Sequence, residues 1–257
     1  MDGNGGSDRP LRAVFHTHTR FSPDAHMSPS DLVERAAEIG LDRVAITDHG
    51  EIEGALRARE LDPSRVIVGE EIRCRGRTEV IGLFLSERIP PGLSLEETVA
   101  RIRDQGGVVF APHPFAYRLQ PQLQAARAAR VADILEVFNS RAFAPKWNRL
   151  AAELAARTRL PTAASSDAHF VEELGRGHTV VPHFTAATDL LAVLGLARPV
   201  GGEVSSPLVH AGSVALRLGR LLWAEGRPGW FRLPWPVRSA DRMGVALRSN
   251  ARARSTR

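Results

Sequence analysis

Through the first two hundred positions, short apolar runs rich in β-branched residues alternate with longer stretches whose apolar side chains recur every three or four residues. The short runs predict strands over residues 11–15, 43–47, 66–72, 80–85, 108–111, 134–138, 162–164 and 179–181. The stretches between them predict helices, two of which have readable starts. Ser28-Pro29-Ser30-Asp31 sets a capping hydroxyl, a first-turn proline and a carboxylate ahead of an apolar stripe that stops at Gly40. Ser94-Leu95-Glu96-Glu97 repeats the device, and Gly106-Gly107 ends that helix. Strand-helix alternation predicts parallel strands joined by crossover helices, hence an α/β sheet or barrel. After Gly201-Gly202 the texture changes. Residues 207–222 predict an amphipathic helix, and the prolines, tryptophans and arginines beyond it show no period.

Composition narrows the class only a little. A chain of 257 residues, 43% hydrophobic and 25% charged, suits a soluble globular protein with one large domain or two small ones. One cysteine, Cys74, excludes an internal disulfide framework and suits a reducing compartment. Residues 1–10 carry no apolar run of the kind a signal peptide needs, and no uncharged apolar stretch is long enough to span a bilayer. The expectation is a cytoplasmic protein. The net charge of +5 is unevenly placed: ten arginines against Glu225 and Asp241 give residues 204–257 a charge of +8, which leaves −3 for residues 1–203. The basic character therefore belongs to the tail and is no general nucleic-acid footprint.

The chemistry-bearing residues cluster at strand ends. His16-Thr17-His18 follows the first predicted strand, and in extended chain residues i and i+2 point the same way, so both imidazoles can reach one ion. Asp167-Ala168-His169 repeats the arrangement after the strand at 162–164. Thr47-Asp48-His49, Gly69-Glu70-Glu71 and Pro112-His113-Pro114 mark three more strand ends, and Asp24 follows the first within a short loop. In a parallel barrel these positions fall on the C-terminal rim, where active sites are built.

These residues, in this order and spacing, resemble the polymerase and histidinol phosphatase family, the PHP domain, over roughly residues 14–181. The resemblance implies a distorted (β/α)7 TIM-like barrel over residues 11–203, between a disordered N-terminus at 1–10 and a basic, aromatic, partly disordered extension at 204–257. It also implies two or three divalent ions, Mn, Fe, Zn or Mg. By position, His16, His18, Glu71 and Asp167 would hold the first, Glu71 would bridge to a second that also takes His113, and Asp24, His49 and His169 would hold the third. Glu79 stands where several relatives place a histidine, and Glu136 lies where others supply a different ligand. Either carboxylate could complete the second site, with Glu79 preferred and Glu136 orienting a neighbour. Asp48 is expected to support His49 rather than bind an ion, because adjacent residues point apart. Glu70 is expected to be exposed for the same reason.

Ions in such a cluster lower the pKa of a bridging water, so the expected activity is phosphate-ester hydrolysis by a metal-bridging hydroxide, with Glu71, Asp167 and His169 as its catalytic residues. The expected substrate is a small phosphorylated metabolite or a nucleotide. Alternatives are a nuclease on oligonucleotides, a histidinol-phosphate phosphatase and a catalytically silent regulatory module. Arg20, Arg118 and Arg141 follow strand ends and are candidates for binding substrate phosphate. Asn139 and Asn148 read as turn or surface groups, Cys74 as a packed strand residue, and His26, His178, His183 and His210 show no partner spacing. The tail's arginines and Trp223, Trp230, Phe231 and Trp235 leave open a nucleic-acid or membrane-surface contact.

Overall fold

A computed structural model describes residues 9–116 and 120–225 of the chain. Nine strands form one sheet: β1 (Leu11–Val14), β2 (Arg43–Ile46), β3 (Val66–Arg73), β4 (Glu79–Leu83), β5 (Val108–Ala111), β6 (Ile134–Asn139), β7 (Thr162–Ser165), β8 (His178–Val181) and β9 (Arg198–Val200). Seven helices accompany them: α1 (Pro29–Glu38), α2 (Glu53–Leu61), α3 (Leu95–Asp104), α4 (Pro121–Ala129), α5 (Pro145–Thr158), α6 (Ala187–Val193) and α7 (Pro207–Glu225). Both expected capping boxes form. Ser28 Oγ accepts from Asp31 N at 3.1 Å, and Ser94 Oγ accepts from Glu97 N at 3.1 Å, each carboxylate returning to the cap amide.

The strand order is β7-β6-β5-β4-β3-β2-β1-β8-β9. Parallel pairing holds for β1-β2-β3 and for β5-β6-β7. It fails at β4, antiparallel to both neighbours, and at β8, antiparallel to β1 and β9. Only the Cys74–Thr78 turn separates β3 from β4, and a parallel crossover takes roughly a dozen residues or more. The sheet nearly closes on itself. Between β7 and β8 a side chain stands in for the ladder: Thr179 Oγ1 accepts from Ala164 N and donates to Ala164 O, both at 3.0 Å.

Two apolar layers follow from the period-two alternation of strands buried on both faces. Ala13, Phe15, Ala45, Ile67, Ile81, Phe110, Ile134 and Ala163 belong to the inner layer, where the Phe15 ring lies 6.3 Å from Phe110 and 6.2 Å from Phe184. Val14, Val44, Ile46, Val68, Val109 and Leu135 belong to the layer beneath the helices. The inner plug of aromatic rings lies directly below the rim, with Phe110 edge-on to His16 at 6.5 Å.

The first compact unit runs to Leu218, beyond the boundary expected near residue 203. Gly201-Gly202, where the sequence texture changes, is a close-packing site: a Cβ at Gly202 would strike the carbonyl of Arg176, and one at Gly201 would meet the Phe138 ring at 2.9 Å. Ser205 then bonds the barrel, its amide donating to Ser140 O at 2.7 Å and its hydroxyl to Glu173 at 2.6 Å. Residues 1–8 and 226–257, which include Trp230, Phe231 and Trp235, lie outside the described residues. Among the described residues no helix is long and apolar enough to cross a membrane.

Candidate metal centre

Just past the strand ends, the chain leaving β1 meets the chain leaving β7. Thr17 and Ala168 form a parallel bridge, with His18 N donating to Ala168 O and Asp167 N to His16 O, each at 2.9 Å. Ala168 belongs to the outer layer. Its neighbours Asp167 and His169, and Thr17's neighbours His16 and His18, converge instead on the barrel mouth. A second bridge pairs His49 with Glu71. Residues far apart in sequence thus become cross-strand neighbours.

His16 Nε2 and His18 Nε2 are each flanked by Glu71 Oε2 and Asp167 Oδ1. The two nitrogens are 3.1 Å apart, Glu71 Oε2 is 3.3 and 3.4 Å from them, and Asp167 Oδ1 is 3.4 and 3.2 Å from them. Two donors on one ion with metal bonds of about 2.0–2.1 Å in tetrahedral geometry stand about 3.3–3.4 Å apart. The five spacings are those of ligand pairs on a small divalent ion, and His16, His18 and Glu71 form one group able to hold it. Glu71 turns its other oxygen, Oε1, to His113 Nε2 at 3.1 Å, and Glu79 joins those two in a second group able to hold an ion. His18, His49 and His169 make a third, with Asp24 Oδ1 3.7 Å from His49 Nε2 and 3.5 Å from His169 Nε2. Asp24 Oδ1, Glu71 Oε1 and Asp167 Oδ1 are buried without a hydrogen bond, and what faces them is imidazole nitrogen. Buried carboxylate oxygens of that kind call for a cation.

The surrounding groups fix the imidazole tautomers. His16 Nδ1 lies 3.3 Å from Glu136 Oε1, and His169 Nδ1 lies 2.8 Å from the Asp167 carbonyl; both partners are acceptors, so each Nδ1 carries the proton. His18 Nδ1 faces Ser22 Oγ at 3.1 Å, and that hydroxyl already donates to Asp48 Oδ1 at 2.7 Å. It can therefore only accept from His18. In the neutral form of each ring the lone pair is then left on Nε2, on the cluster side.

Charge is balanced within this group. Burial opposes ionisation of Glu71 and Asp167, but His49 and His16 around the first, and His16, His18 and His169 around the second, hold both well below the usual carboxylate range. Burial pulls His16 and His49 the other way. Asp167, Glu136 and Glu71 nonetheless raise His16 well above its ordinary value, and Glu71 and Asp24 raise His49 to about 10. Two of the site's residues also adopt left-handed backbone, Asp167 at φ 51° and His113 at φ 25°. Such conformations cost about 1–3 kcal/mol each and collect at functional sites.

Several expectations change. Glu136 does not stand in the donor groups with Glu79; its Oε2 accepts from His113 N at 2.6 Å and from Asn139 Nδ2 at 2.9 Å, so it positions His16 and His113. Asp48 supports Thr19 and Ser22, with distances of 2.7 and 2.6 Å to Thr19, and reaches His49 only through Ser22, which accepts from His49 N at 3.0 Å. A Cβ on Gly54 would strike Asp48 and Thr19, so α2 approaches that pair as only glycine allows. Glu70 is buried rather than exposed, because both faces of β3 are covered; it accepts from Ile89 N at 2.7 Å, and burial pushes its pKa up to about 7. Asn139 is not a surface group: it donates to Asp167 Oδ2 at 3.1 Å as well as to Glu136.

Of the three arginines proposed for phosphate, Arg118 lies outside the described residues. Arg20 is exposed and interacts with Asp31 at the start of α1, away from the cleft lining. Arg141 lines the cleft, but its guanidinium binds Glu173 at 2.7 Å and Ser213 at 2.9 Å. Glu173, missed in the sequence, is a buried hub whose oxygens also accept from His169 N and Ser205. The donor groups open into a cleft of about 410 Å³, whose wall includes His210, Ser213, Val214 and Arg217 of α7. His210 was left without a role and the other three were not singled out, since no spacing within the tail relates them to the barrel rim.

A family model described as the PHP domain matches residues 15–141, and one described as PHP-associated matches residues 145–198. An uncharacterized protein of Methanocaldococcus jannaschii is 36% identical over 147 residues, covering 51% of this chain and 82% of that protein. A second from the same organism is 32% identical over 174 residues, covering 65% and 69%. A solved two-domain protein from Bacteroides vulgatus, described as containing a predicted PHP-like metal-dependent phosphoesterase, shares 19% identity and a TM-score of 0.59 over 80% of this chain and 69% of that one. At that identity the likeness bears on the fold.

Proposed function

The chain belongs to the PHP domain family, and on that footing we propose that it hydrolyses phosphate esters of a small metabolite or nucleotide with the help of bound divalent ions. The observation that carries this reading is the converging donor set, with its orphaned carboxylate oxygens and donor spacings of 3.1–3.4 Å. His16, His18, Glu71 and Asp167 would hold one ion, Glu71, Glu79 and His113 a second, and Asp24, His49 and His169 a third. Both oxygens of Glu71 face donor groups, which suits a bridging role.

Bound divalent ions supply a nucleophilic water at neutral pH and offset the charge of the phosphoryl oxygens. The chain's own contribution is pre-organisation. Glu136, Ser22 and the Asp167 carbonyl hold three imidazoles with Nε2 towards the cluster, so no ring has to turn when ligand arrives. His16 and His18 are fully buried, which keeps bulk water from competing for them. A catalytically silent module is less well supported, because every position of the donor set retains a ligating side chain.

The test is metal analysis of the purified protein with turnover on p-nitrophenyl phosphate, nucleoside 3′- and 5′-monophosphates, short oligonucleotides and histidinol phosphate. Metal-dependent hydrolysis of monophosphates, lost in His16→Ala and Asp167→Ala, is expected. Preference for oligonucleotides would favour a nuclease, and activity surviving both substitutions would remove the site assignment.

A further inference from the structure

Four residues of α7 that line the cleft, His210, Ser213, Val214 and Arg217, lie at i, i+3, i+4 and i+7, a single helical stripe. They share that wall with Asp24, Glu71, His113 and Asp167. The helix lies beyond both family-matched segments, which end at residues 141 and 198. It is nonetheless fastened to the barrel. Arg141 donates to Ser213 at 2.9 Å, Ser205 donates to Glu173 at 2.6 Å, and a Cβ on Gly212 would already touch the Phe170 ring at 3.3 Å. The stripe is therefore held at the mouth of the site.

Arg217 differs from Arg141, which lines the same cleft. Arg141 is buried and committed to Glu173 and Ser213, whereas Arg217 is exposed and forms no ion pair with any described residue. It also lines the adjoining lobe of about 280 Å³, and the two lobes share Asp24, His49, Glu71 and Glu79. A guanidinium free to move above a floor of metal-binding side chains presents a planar fork suited to phosphoryl oxygens. Phe143, 51% exposed, and Val214, 57% exposed, add apolar surface to the same cleft, whose volume suits a small molecule.

Resting on the phosphoesterase reading, we propose that Arg217 binds the phosphoryl group of the substrate, and that Val214 and Phe143 receive its organic part. The substrate is then a small phosphomonoester with an apolar or planar face, recognised by the C-terminal helix as well as by the barrel.

The experiment uses the full-length, metal-loaded protein, with inorganic phosphate binding followed by calorimetry and p-nitrophenyl phosphate turnover measured in parallel. Arg217→Gln should weaken phosphate binding and raise KM by roughly tenfold, the scale of one charge-assisted interaction. Metal content and melting temperature should stay unchanged. Arg217→Lys should recover part of the loss, guanidinium ion should partly restore Arg217→Ala, and the distant Arg35→Gln should behave as wild type. Phosphate binding that is unaltered in Arg217→Gln, absent from the wild type, or lost together with metal overturns the role of Arg217. A wild-type protein that holds phosphate through Arg217 yet hydrolyses no ester would leave that role standing and overturn the phosphoesterase reading instead.

Discussion

The Ser22 hydroxyl lies 3.1 Å from His18 Nδ1 and donates its only proton to Asp48, so it reads the imidazole as a donor and nothing else. Ser22→Ala removes that constraint and leaves buried Asp48 one donor short. Metal affinity should fall about 10- to 100-fold, with a loss of about 1–3 kcal/mol in stability. Chelator-competition titration and thermal melting would check both. Unchanged affinity would show that the tautomer needs no such guard.

Glu79 and Glu136 should part company when each is converted to glutamine. Glu79 stands with Glu71 and His113, so Glu79→Gln should lower the number of bound ions. Glu136 accepts from His16 on one oxygen and from His113 N and Asn139 on the other, which an amide cannot reproduce on both sides. Glu136→Gln should keep the ion count and weaken affinity about tenfold or more. Elemental analysis of the two variants decides, and a reduced count for Glu136→Gln would reinstate it as a ligand.

Metal loading at pH 7 should release protons. His16 and His49 are both raised in the metal-free protein, His49 to about 10, and must be neutral to bind an ion. Calorimetry in two buffers of different ionisation enthalpy reads the number released. The same shift sets the pH profile of the metal-free form. A histidine at about 10 when folded and near 6.5 when unfolded contributes stability fully below pH 6.5 and loses it as pH rises towards 10. Metal-free protein should therefore melt at progressively lower temperature over that window, while the loaded protein should not follow it.

Glu173→Gln should be among the most damaging substitutions outside the donor set. It leaves Arg141, a buried cation, without its carboxylate, at a cost of about 3–5 kcal/mol, and weakens the attachment of Ser205 as well. Melting temperature and proteolysis near residues 205–213 would measure it; wild-type behaviour in both would show that Ser213 and Ser205 anchor the segment unaided.

The candidate donor set was legible because its members sit beside strand ends in short pairs, His16 with His18 and Asp167 with His169, and strand periodicity survives in the sequence. The supporting residues were not. Ser22, Asn139 and Glu173 act through hydrogen bonds across 26 to 32 positions, and nothing in their local sequence distinguishes them from ordinary turn and surface groups. Glu70 was misjudged for a related reason: alternation identifies its face of β3 but not that the segment around Ile89 covers it. The reversal of β4 could have been read from the short 74–78 turn. Closure through Thr179 could not, since it replaces a backbone ladder with one hydroxyl.

The bridge between Thr17 and Ala168 also orders events in time. His16 and His18 are made early in synthesis, and their partners Asp167 and His169 come some hundred and fifty residues later. A nascent chain that has not yet released Asp167 from the ribosome lacks one of the donors and the strand that aligns the others, so it has no finished pocket in which to trap an ion. Occupancy of the first site then reports that the two ends of the barrel have joined.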